Sequence, residues 1–107
     1  MSDMVEANDQ NFESVVLQSD KPVLVDFSAV WCGPCKKLEP VVKDIASTYD
    51  GRLRVVKVDV DRSPQTAARF AVLSVPTLLL FRDGQVRDQV VGVLSKGALS
   101  DRVDRVL

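Results

Sequence analysis

Apolar residues along the chain fall into short, dense runs that predict buried β-strands. Residues 23–27, directly after Pro22, form a nearly continuous apolar run, which is typical of a strand covered on both faces. The valine-rich residues 53–60 predict a second buried strand, and residues 77–81 predict a third. Asp83-Gly84 then predicts a two-residue hairpin turn that leads into an antiparallel strand over residues 86–91.

Between these runs, apolar residues recur at helical spacing. Residues 8–19 predict a first helix, with Asn8 or Asp9 placed to cap it. A longer helix is predicted from Cys35 to the Asp50-Gly51 pair, where glycine favours a left-handed cap. Pro40 lies inside this helix, removes one backbone donor and is expected to bend its axis.

Two further helices are predicted from serine residues that are suited to cap a helix N-terminus. Ser63-Pro64 combines a capping serine with a proline in the first turn of a short helix. Ser95 is placed to cap the last helix, whose apolar face includes Leu99 and Val103. A short strand before the first helix completes the expected order.

This alternation of strands and helices predicts the fold class. Strand, helix, strand connections give right-handed parallel crossovers, and the closing hairpin adds antiparallel strands. We therefore expect an α/β fold with a central mixed β-sheet flanked by helices on both faces. No internal repeat, low-complexity tract or Gly/Ser-rich linker interrupts the sequence, so residues 1–107 are expected to form a single domain.

Composition and charge exclude several classes of function. Hydrophobic residues make up 46% of the chain and charged residues 27%, which is ordinary for a globular protein. Fourteen basic and fifteen acidic residues give a net charge of −1, so no basic stripe is present to bind nucleic acid or an anionic membrane. No apolar run exceeds four residues, which excludes a membrane-spanning helix.

The chain contains no histidine. Serine–histidine and cysteine–histidine nucleophile pairs and zinc sites that need imidazole are therefore excluded. The acidic N-terminal segment lacks the basic, apolar and small-residue order of a signal peptide, so we expect a cytoplasmic protein.

The two cysteines, Cys32 and Cys35, are separated only by Gly33 and Pro34. A bond between them would close a very short loop and remove little entropy from the unfolded chain, so a structural staple is a poor explanation. Redox chemistry or metal binding is the more common use of such a pair in a reducing compartment. A four-thiolate zinc site would require two chains.

The cysteine motif lies where a predicted buried strand ends and the long helix begins. Cys32 would then occupy a helix N-terminus, where free backbone amides and the helix dipole favour a thiolate. With Cys35 one turn away, the pair could attack a disulfide and then resolve the mixed disulfide within the molecule.

At these residues the sequence resembles the thioredoxin family, and the resemblance covers nearly the whole chain. The matching segments are Val25-Asp26-Phe27, Trp31 to Lys36, Lys57, Val75-Pro76-Thr77, Asp83-Gly84 and Val91-Gly92. The resemblance implies the thioredoxin fold, with Cys32 as the nucleophile and Cys35 as the buried resolving thiol.

The same resemblance implies roles for a carboxyl group and a lysine near the cysteines. Asp26 matches the family's buried carboxylate, which helps to move the proton of the resolving cysteine, and Lys57 matches its partner. Burial raises a carboxyl pKa and a nearby cation opposes that rise, and the sequence leaves open which effect is larger. The alternatives are a hydrogen-bonded core acid for Asp26 and a lysine that reaches water for Lys57.

The resemblance also implies a cis peptide bond before Pro76 and a flat apolar surface that receives the substrate chain. That surface would comprise Trp31, Gly33, Pro34, Val75, Pro76 and Gly92. Two positions depart from the commonest family pattern. Ser28 stands where many members have tryptophan, and Ser74 stands where many have glycine.

The function expected from this sequence is general reduction of protein disulfides by a monomer without a bound cofactor. The resemblance implies that electrons come from NADPH through a flavin-containing thioredoxin reductase, and that the partners are this reductase and disulfide-containing proteins. Two alternatives remain. The pair could act as a disulfide oxidase or isomerase, although Gly33 and Pro34 offer no side-chain donor to stabilise a thiolate. The chain could also be a redox-independent binding subunit that uses the surface around Trp31.

Overall fold

The computed structural model describes residues 4–107 and contains a five-stranded mixed sheet. Residues 1–3, part of the N-terminal segment discussed above, lie outside the described residues. The strands are β1 (Met4–Ala7), β2 (Val23–Ser28), β3 (Arg54–Asp59), β4 (Thr77–Arg82) and β5 (Gln85–Val91). The helices are a π-helical turn (Glu13–Leu17), α1 (Gly33–Thr48), α2 (Pro64–Arg69) and α3 (Lys96–Val106).

The strand order in the sheet is β1-β3-β2-β4-β5. β3 pairs in parallel with β1 and β2, whereas β4 is antiparallel to both β2 and β5. This arrangement confirms the predicted α/β fold with a mixed sheet, and β1 confirms the short strand expected before the first helix. β2 lies at the centre, and all six of its residues are buried.

Helices cover both faces of this sheet, and alternate residues of β2 face opposite sides. Leu24 packs in a core cluster with residues of α1 and α3, including Leu38 and Leu99. Val25 packs on the other face, in a cluster with Phe12 of the N-terminal segment. Asp26 follows Leu24 by two residues, so its side chain is on the face that α1 covers.

Local turn and cap signals are largely confirmed. Gly51 has a φ of +84°, as the predicted left-handed cap requires. Asp83 and Gly84, with φ of +54° and +76°, form the hairpin turn between β4 and β5. The Ser95 Oγ accepts a hydrogen bond from the Ala98 N–H at 3.1 Å and caps α3. α1 runs on without interruption through Pro40.

The first predicted helix is shorter than residues 8–19. Only Glu13–Leu17 is regular, and it is π-helical, with the Gln18 N–H donating to the Glu13 carbonyl at 2.9 Å. Before it, the Asn8 Oδ1 accepts hydrogen bonds from the backbone N–H groups of Gln10 and Asn11. Asn8 thus caps the turn that leads into this helix, as predicted, and its carbonyl accepts a hydrogen bond from the Phe12 N–H at 3.0 Å.

The prediction that Ser63 caps α2 by its side chain is wrong. Ser63 occupies the N-cap position, but its buried Oγ has no hydrogen-bond partner among the described residues. Asp9 takes its place, since its carboxylate accepts hydrogen bonds from the Gln65 N–H at 3.3 Å, the Thr66 N–H at 2.8 Å and the Thr66 hydroxyl at 2.7 Å. A negative charge is favourable at a helix N-terminus, so the fold uses a carboxylate from a distant turn.

Candidate active site

The segment Trp31–Cys35 connects the end of central strand β2 to the first turn of α1. Cys32 is the N-cap residue of α1, with an extended backbone (φ −90°, ψ 112°). Its Sγ accepts a hydrogen bond from the Cys35 N–H at 3.1 Å. Pro34 lies in the first turn of α1, where a backbone N–H has no acceptor within the helix. The missing N–H of proline therefore costs no helical hydrogen bond at this position. The sequence therefore places a sulfur atom at the positive end of a sixteen-residue helix.

Cys32 and Cys35 are joined by a disulfide, with their Cα atoms 5.3 Å apart. Both residues are buried, with exposed fractions of 4% and 6%. They pack with Ala29, and Val60 and Val75 contact this small cluster from the sides. The pair is thus an intramolecular disulfide in a mostly apolar setting, directly after the exposed Trp31.

Trp31 is the large exposed side chain beside the cysteines, with 68% of its surface accessible. Its Nε1 donates a hydrogen bond to the Asp61 Oδ2 at 2.8 Å, which fixes the orientation of the ring. Asp61 in turn follows β3, and its N–H donates to the Asp59 Oδ1 at 2.9 Å. The sequence alone did not indicate Asp61, because Trp31 and Asp61 are thirty positions apart and only the fold brings them together.

The loop before β4 reaches the cysteines through Val75, which packs against their cluster and is followed by Pro76. The peptide bond between these residues is cis, in agreement with the resemblance. The Pro76 carbonyl accepts a hydrogen bond from the Gly92 N–H at 2.9 Å, and Gly92 has a φ of +98°, where a glycine is favoured. The exposed Ser74 contributes its carbonyl, which accepts from the Thr77 hydroxyl at 2.7 Å.

The expected surface residues fall into two groups in the structure, and Pro76, unlike the other five, is buried. Val75 packs against the cysteines, and Pro76 is tied to Gly92 through the backbone. Gly33 and Pro34 are exposed in the first turn of α1, and Trp31 directly precedes Cys32.

A cleft of about 390 Å³ is lined by both Cys35 and Asp26. Asp26 is only 2% exposed, and its Oδ1 has no hydrogen-bond partner within residues 4–107. Burial raises the pKa of Asp26 to about 6; the positive charge of Lys57 opposes this rise and the negative charge of Glu39 adds to it. The question that the sequence left open is answered here, since burial outweighs the effect of the nearby cation.

Lys57 lines the same cleft from β3, where it pairs in register with Asp26 on β2. Its side chain is 39% exposed, and its Nζ lies 3.9 Å from the Glu39 Oε2. The other oxygen of Glu39 lies 3.3 Å from the Lys43 Nζ. Glu39 was not among the predicted site residues, although its position one turn after Cys35 on α1 is a signal that could have found it.

Ser28, where many family members have tryptophan, is buried and lines this cleft next to Asp26. Within residues 4–107, no group of three or more histidine, cysteine, aspartate or glutamate side chains is arranged to hold a metal ion. The same residues include no helix with the length and apolar character needed to cross a membrane.

A cysteine pair at the start of a helix, beside a buried acid and an exposed tryptophan, defines the class of thiol–disulfide oxidoreductases. Comparison with known proteins gives a narrower result. The thioredoxin family model matches residues 3–105. The chain is 47% identical to thioredoxin 1 of Nostoc sp. over the full length of both proteins, and 46% identical to thioredoxin of Haemophilus influenzae over 98% of each. The chain belongs to the thioredoxin family.

Similarity extends to chloroplast proteins. The M-type chloroplastic thioredoxin of Pisum sativum is 39% identical over 94% of this chain and 58% of its own length. Family membership and the cysteine pair make this protein a dithiol–disulfide reductase. Thioredoxins act on disulfide substrates through their own cysteines and bind no cofactor for this reaction.

Proposed function

We propose that this thioredoxin is a general reductant of protein disulfides in which Cys32 attacks the substrate and Cys35 resolves the intermediate. The observation that supports these roles is the hydrogen bond from the Cys35 N–H to the Cys32 Sγ at the N-terminus of α1. A backbone donor and a helix dipole both favour a thiolate on Cys32. No comparable donor to Cys35 is present among the described residues, which fits a thiol that reacts second.

The proposed reaction starts from the reduced pair. The Cys32 thiolate attacks one sulfur of a substrate disulfide, forms a mixed disulfide and releases the other substrate sulfur as a thiolate that takes up a proton. Cys35 then loses its proton and attacks the Cys32 Sγ, which releases the second substrate thiol. The substrate gains two electrons, and the protein is left with the Cys32–Cys35 disulfide.

In this proposal Asp26 accepts the proton that Cys35 loses, and Lys57 stabilises the ionised form of Asp26. Asp26 and Cys35 line the same cleft, and a pKa of about 6 lets the carboxyl group exchange protons near neutral pH. The open cleft gives room for a water molecule to carry the proton between the two groups.

The substrate chain would lie across the surface formed by Trp31, Gly33, Pro34, Val75, Pro76 and Gly92. Trp31 supplies a large exposed aromatic contact, and its hydrogen bond to Asp61 lowers the entropy lost on binding. Val75 lies directly against the cysteines, so a bound chain would be held close to the reacting sulfurs.

We further propose that electrons are returned by a flavin-containing thioredoxin reductase that uses NADPH, and that the protein works in the cytoplasm as a monomer with residues 1–107 as its single domain. A dithiol reductant must be reduced again after each cycle. A reducing compartment favours the net reduction of substrate disulfides.

The two-step scheme is tested by single cysteine variants incubated with a protein that carries one known disulfide. Cys35→Ser should accumulate a mixed disulfide with this substrate, detected by intact-mass spectrometry and reversed by a small thiol. Cys32→Ser should form no such adduct at an appreciable rate, because no donor to the Cys35 sulfur is present among the described residues to stabilise its thiolate. If Cys35→Ser formed no adduct while its Cys32 still reacted with a small alkylating agent, the proposed order of attack would be wrong.

The double variant Cys32→Ser, Cys35→Ser separates catalysis from binding. A reductase loses all turnover of the substrate disulfide when both thiols are removed. Retention of the cellular function by this variant would instead support the redox-independent binding subunit.

A further inference from the structure

Glu39 is a charged residue of the active-site cleft that the scheme above does not use. It lies on α1, one turn after Cys35, and is half-buried. Its two carboxylate oxygens are divided between two cations, at 3.9 Å from the Lys57 Nζ and 3.3 Å from the Lys43 Nζ. The first of these cations is the one proposed to stabilise ionised Asp26, so Glu39 and Asp26 compete for the same charge.

The distances from the Lys57 ammonium show which of the two carboxylates it pairs with. Among residues 4–107, Glu39 is the partner that lies within 4 Å of the Lys57 ammonium, and Asp26 does not reach that distance although the two residues are register partners in adjacent strands. The buried Oδ1 of Asp26 has no donor at all within the described chain. The Lys57 ammonium is therefore held closer to Glu39 than to Asp26.

We propose that Glu39 is a positioning residue that holds the Lys57 ammonium away from Asp26 and thereby sets the pH range in which Asp26 can accept a proton from Cys35. This inference rests on the proposed role of Asp26. The charge of Glu39 affects the protonation of Asp26 in two ways, by holding Lys57 in place and by its own electrostatic field. The shift of the Asp26 pKa agrees with it, since Lys57 lowers that pKa and Glu39 raises it.

Other charged groups also line this cleft, and the effect of Glu39 on Asp26 must be distinguished from theirs. They are Glu6 on β1, Lys36 on α1, Asp59 on β3, and Arg62 in the following loop. Asp59 is engaged by the Asp61 N–H. Glu6 pairs in register with Lys57 across β1 and β3, so it offers a second carboxylate beside the same lysine.

The direct test is a titration of the Asp26 carboxyl carbon by ¹³C NMR in the oxidised protein. Glu39→Gln keeps the size of the side chain and removes its charge, so it should lower the midpoint of Asp26 by roughly half a pH unit. Glu6→Gln is the matched control, and it should move the midpoint much less. Equal shifts in the two variants would overturn the specific role of Glu39 and assign the effect to the total charge of the cleft.

A second comparison tests whether Glu39 acts through Lys57. In a Lys57→Met background, the shift caused by Glu39→Gln should shrink clearly, because the lysine that Glu39 holds is absent. An undiminished shift would mean that Glu39 acts only by its own field, and the positioning role would be wrong. Both backgrounds are read by the same carboxyl signal, so a variant that fails to fold is recognised from its spectrum.

The kinetic readout is the pH profile of substrate reduction by the wild type and by Glu39→Gln. The acid limb of the profile should move to lower pH by the amount that the NMR midpoint moves. A shifted NMR midpoint with an unshifted profile would overturn the link to catalysis and the proposed role of Asp26 as proton acceptor, while the control of the Asp26 midpoint by Glu39 would stand. An unshifted NMR midpoint would overturn the role of Glu39 and leave the proposed function intact.

Discussion

The carboxyl group of Asp26 combines two requirements that oppose each other. It is buried beside the cysteine pair, where a charge is poorly solvated, yet a proton acceptor must be able to ionise. Burial raises its pKa from the ordinary 3.8 to about 6 in spite of the opposing charge of Lys57. The folded protein therefore holds a carboxyl group whose ionisation destabilises it, which is typical of groups used in proton transfer.

This conflict predicts that Asp26→Asn stabilises the oxidised protein at alkaline pH. The folded state binds a proton more tightly than the unfolded state, so the destabilisation is absent below pH 3.8, develops between 3.8 and about 6, and is complete above that range. One pKa unit corresponds to about 1.4 kcal/mol, so the gain at pH 8 should approach about 3 kcal/mol. Urea unfolding at pH 8 and at pH 4 measures it.

The difference in stability gain between pH 8 and pH 4 is the result that tests whether charge burial is the cause. At pH 4 the wild type is mostly protonated at Asp26, and most of the advantage of the variant should be lost. Asp44→Asn, an exposed position on α1, is the control and should change stability by less than about 0.5 kcal/mol at either pH. An equal gain for Asp26→Asn at both pH values would show that charge burial is not its cause.

At the scale of the elements, the N-terminus of α2 shows how a helix can be capped from outside its own sequence. Asp9 belongs to the turn before the π-helix and accepts three hydrogen bonds from Gln65 and Thr66. Since the side-chain hydrogen bond from Thr66 lowers the pKa of Asp9, the stabilising charge is present above its unfolded pKa and is lost as pH falls through the folded value. The contact also ties the N-terminal segment to α2.

We expect Asp9→Ala to destabilise the protein and to speed hydrogen exchange at the Gln65 and Thr66 amides, because both donors lose their acceptor. Ser63→Ala should be neutral or slightly stabilising, because the buried Ser63 Oγ makes no hydrogen bond within residues 4–107. Urea midpoints and exchange rates at neutral pH measure both effects.

Asp9→Asn serves as the intermediate variant, since it keeps an acceptor oxygen and removes the charge. The difference between wild type and Asp9→Ala should also shrink in acid, as Asp9 becomes protonated. A loss of stability in Ser63→Ala equal to that of an ordinary N-cap, about 1 kcal/mol, would contradict the assignment of the cap to Asp9.

At the scale of the whole molecule, the sheet brings the ends of several elements to one place. The end of β2, the start of α1, the segment after β3 and the loop before β4 all meet at the disulfide. The reduction potential of the pair depends on all of them, because it measures how well this environment stabilises two thiols relative to one disulfide. Among the described residues, the donor to the Cys32 Sγ is a backbone N–H, and Gly33 and Pro34 add no side-chain donor.

We therefore expect the pair to be more reducing than the cellular glutathione pool, because strong oxidants depend on a highly stabilised thiolate. Equilibration in redox buffers, followed by the fluorescence of Trp31, measures the potential, since Trp31 is the sole tryptophan and adjoins the disulfide. The double variant Cys32→Ser, Cys35→Ser should show no transition. A potential more oxidising than the pool would favour the oxidase or isomerase alternative.

Much of the fold could be predicted because its signals are local. The apolar runs of β2, β3 and β4 and the Asp83-Gly84 turn need only neighbouring residues to be recognised. The first helix was overestimated because apolar spacing alone does not reveal which part of the segment is regular, and only Glu13–Leu17 is. The cap of α2 was misassigned because Ser63 has the right position but Asp9, from a distant turn, makes the bonds.

The sequence by itself determined the order of the elements, the class of fold and the position of the cysteine pair at a helix start, because helix and strand periods and turn residues act over a few positions. The tertiary structure alone decided how deeply Asp26 is buried, that Lys57 pairs with Glu39, and that Asp61 orients Trp31. These relations depend on strand register and on packing between distant segments. Charges and hydrogen bonds act over a few ångströms, and only the folded chain brings such residues within that range.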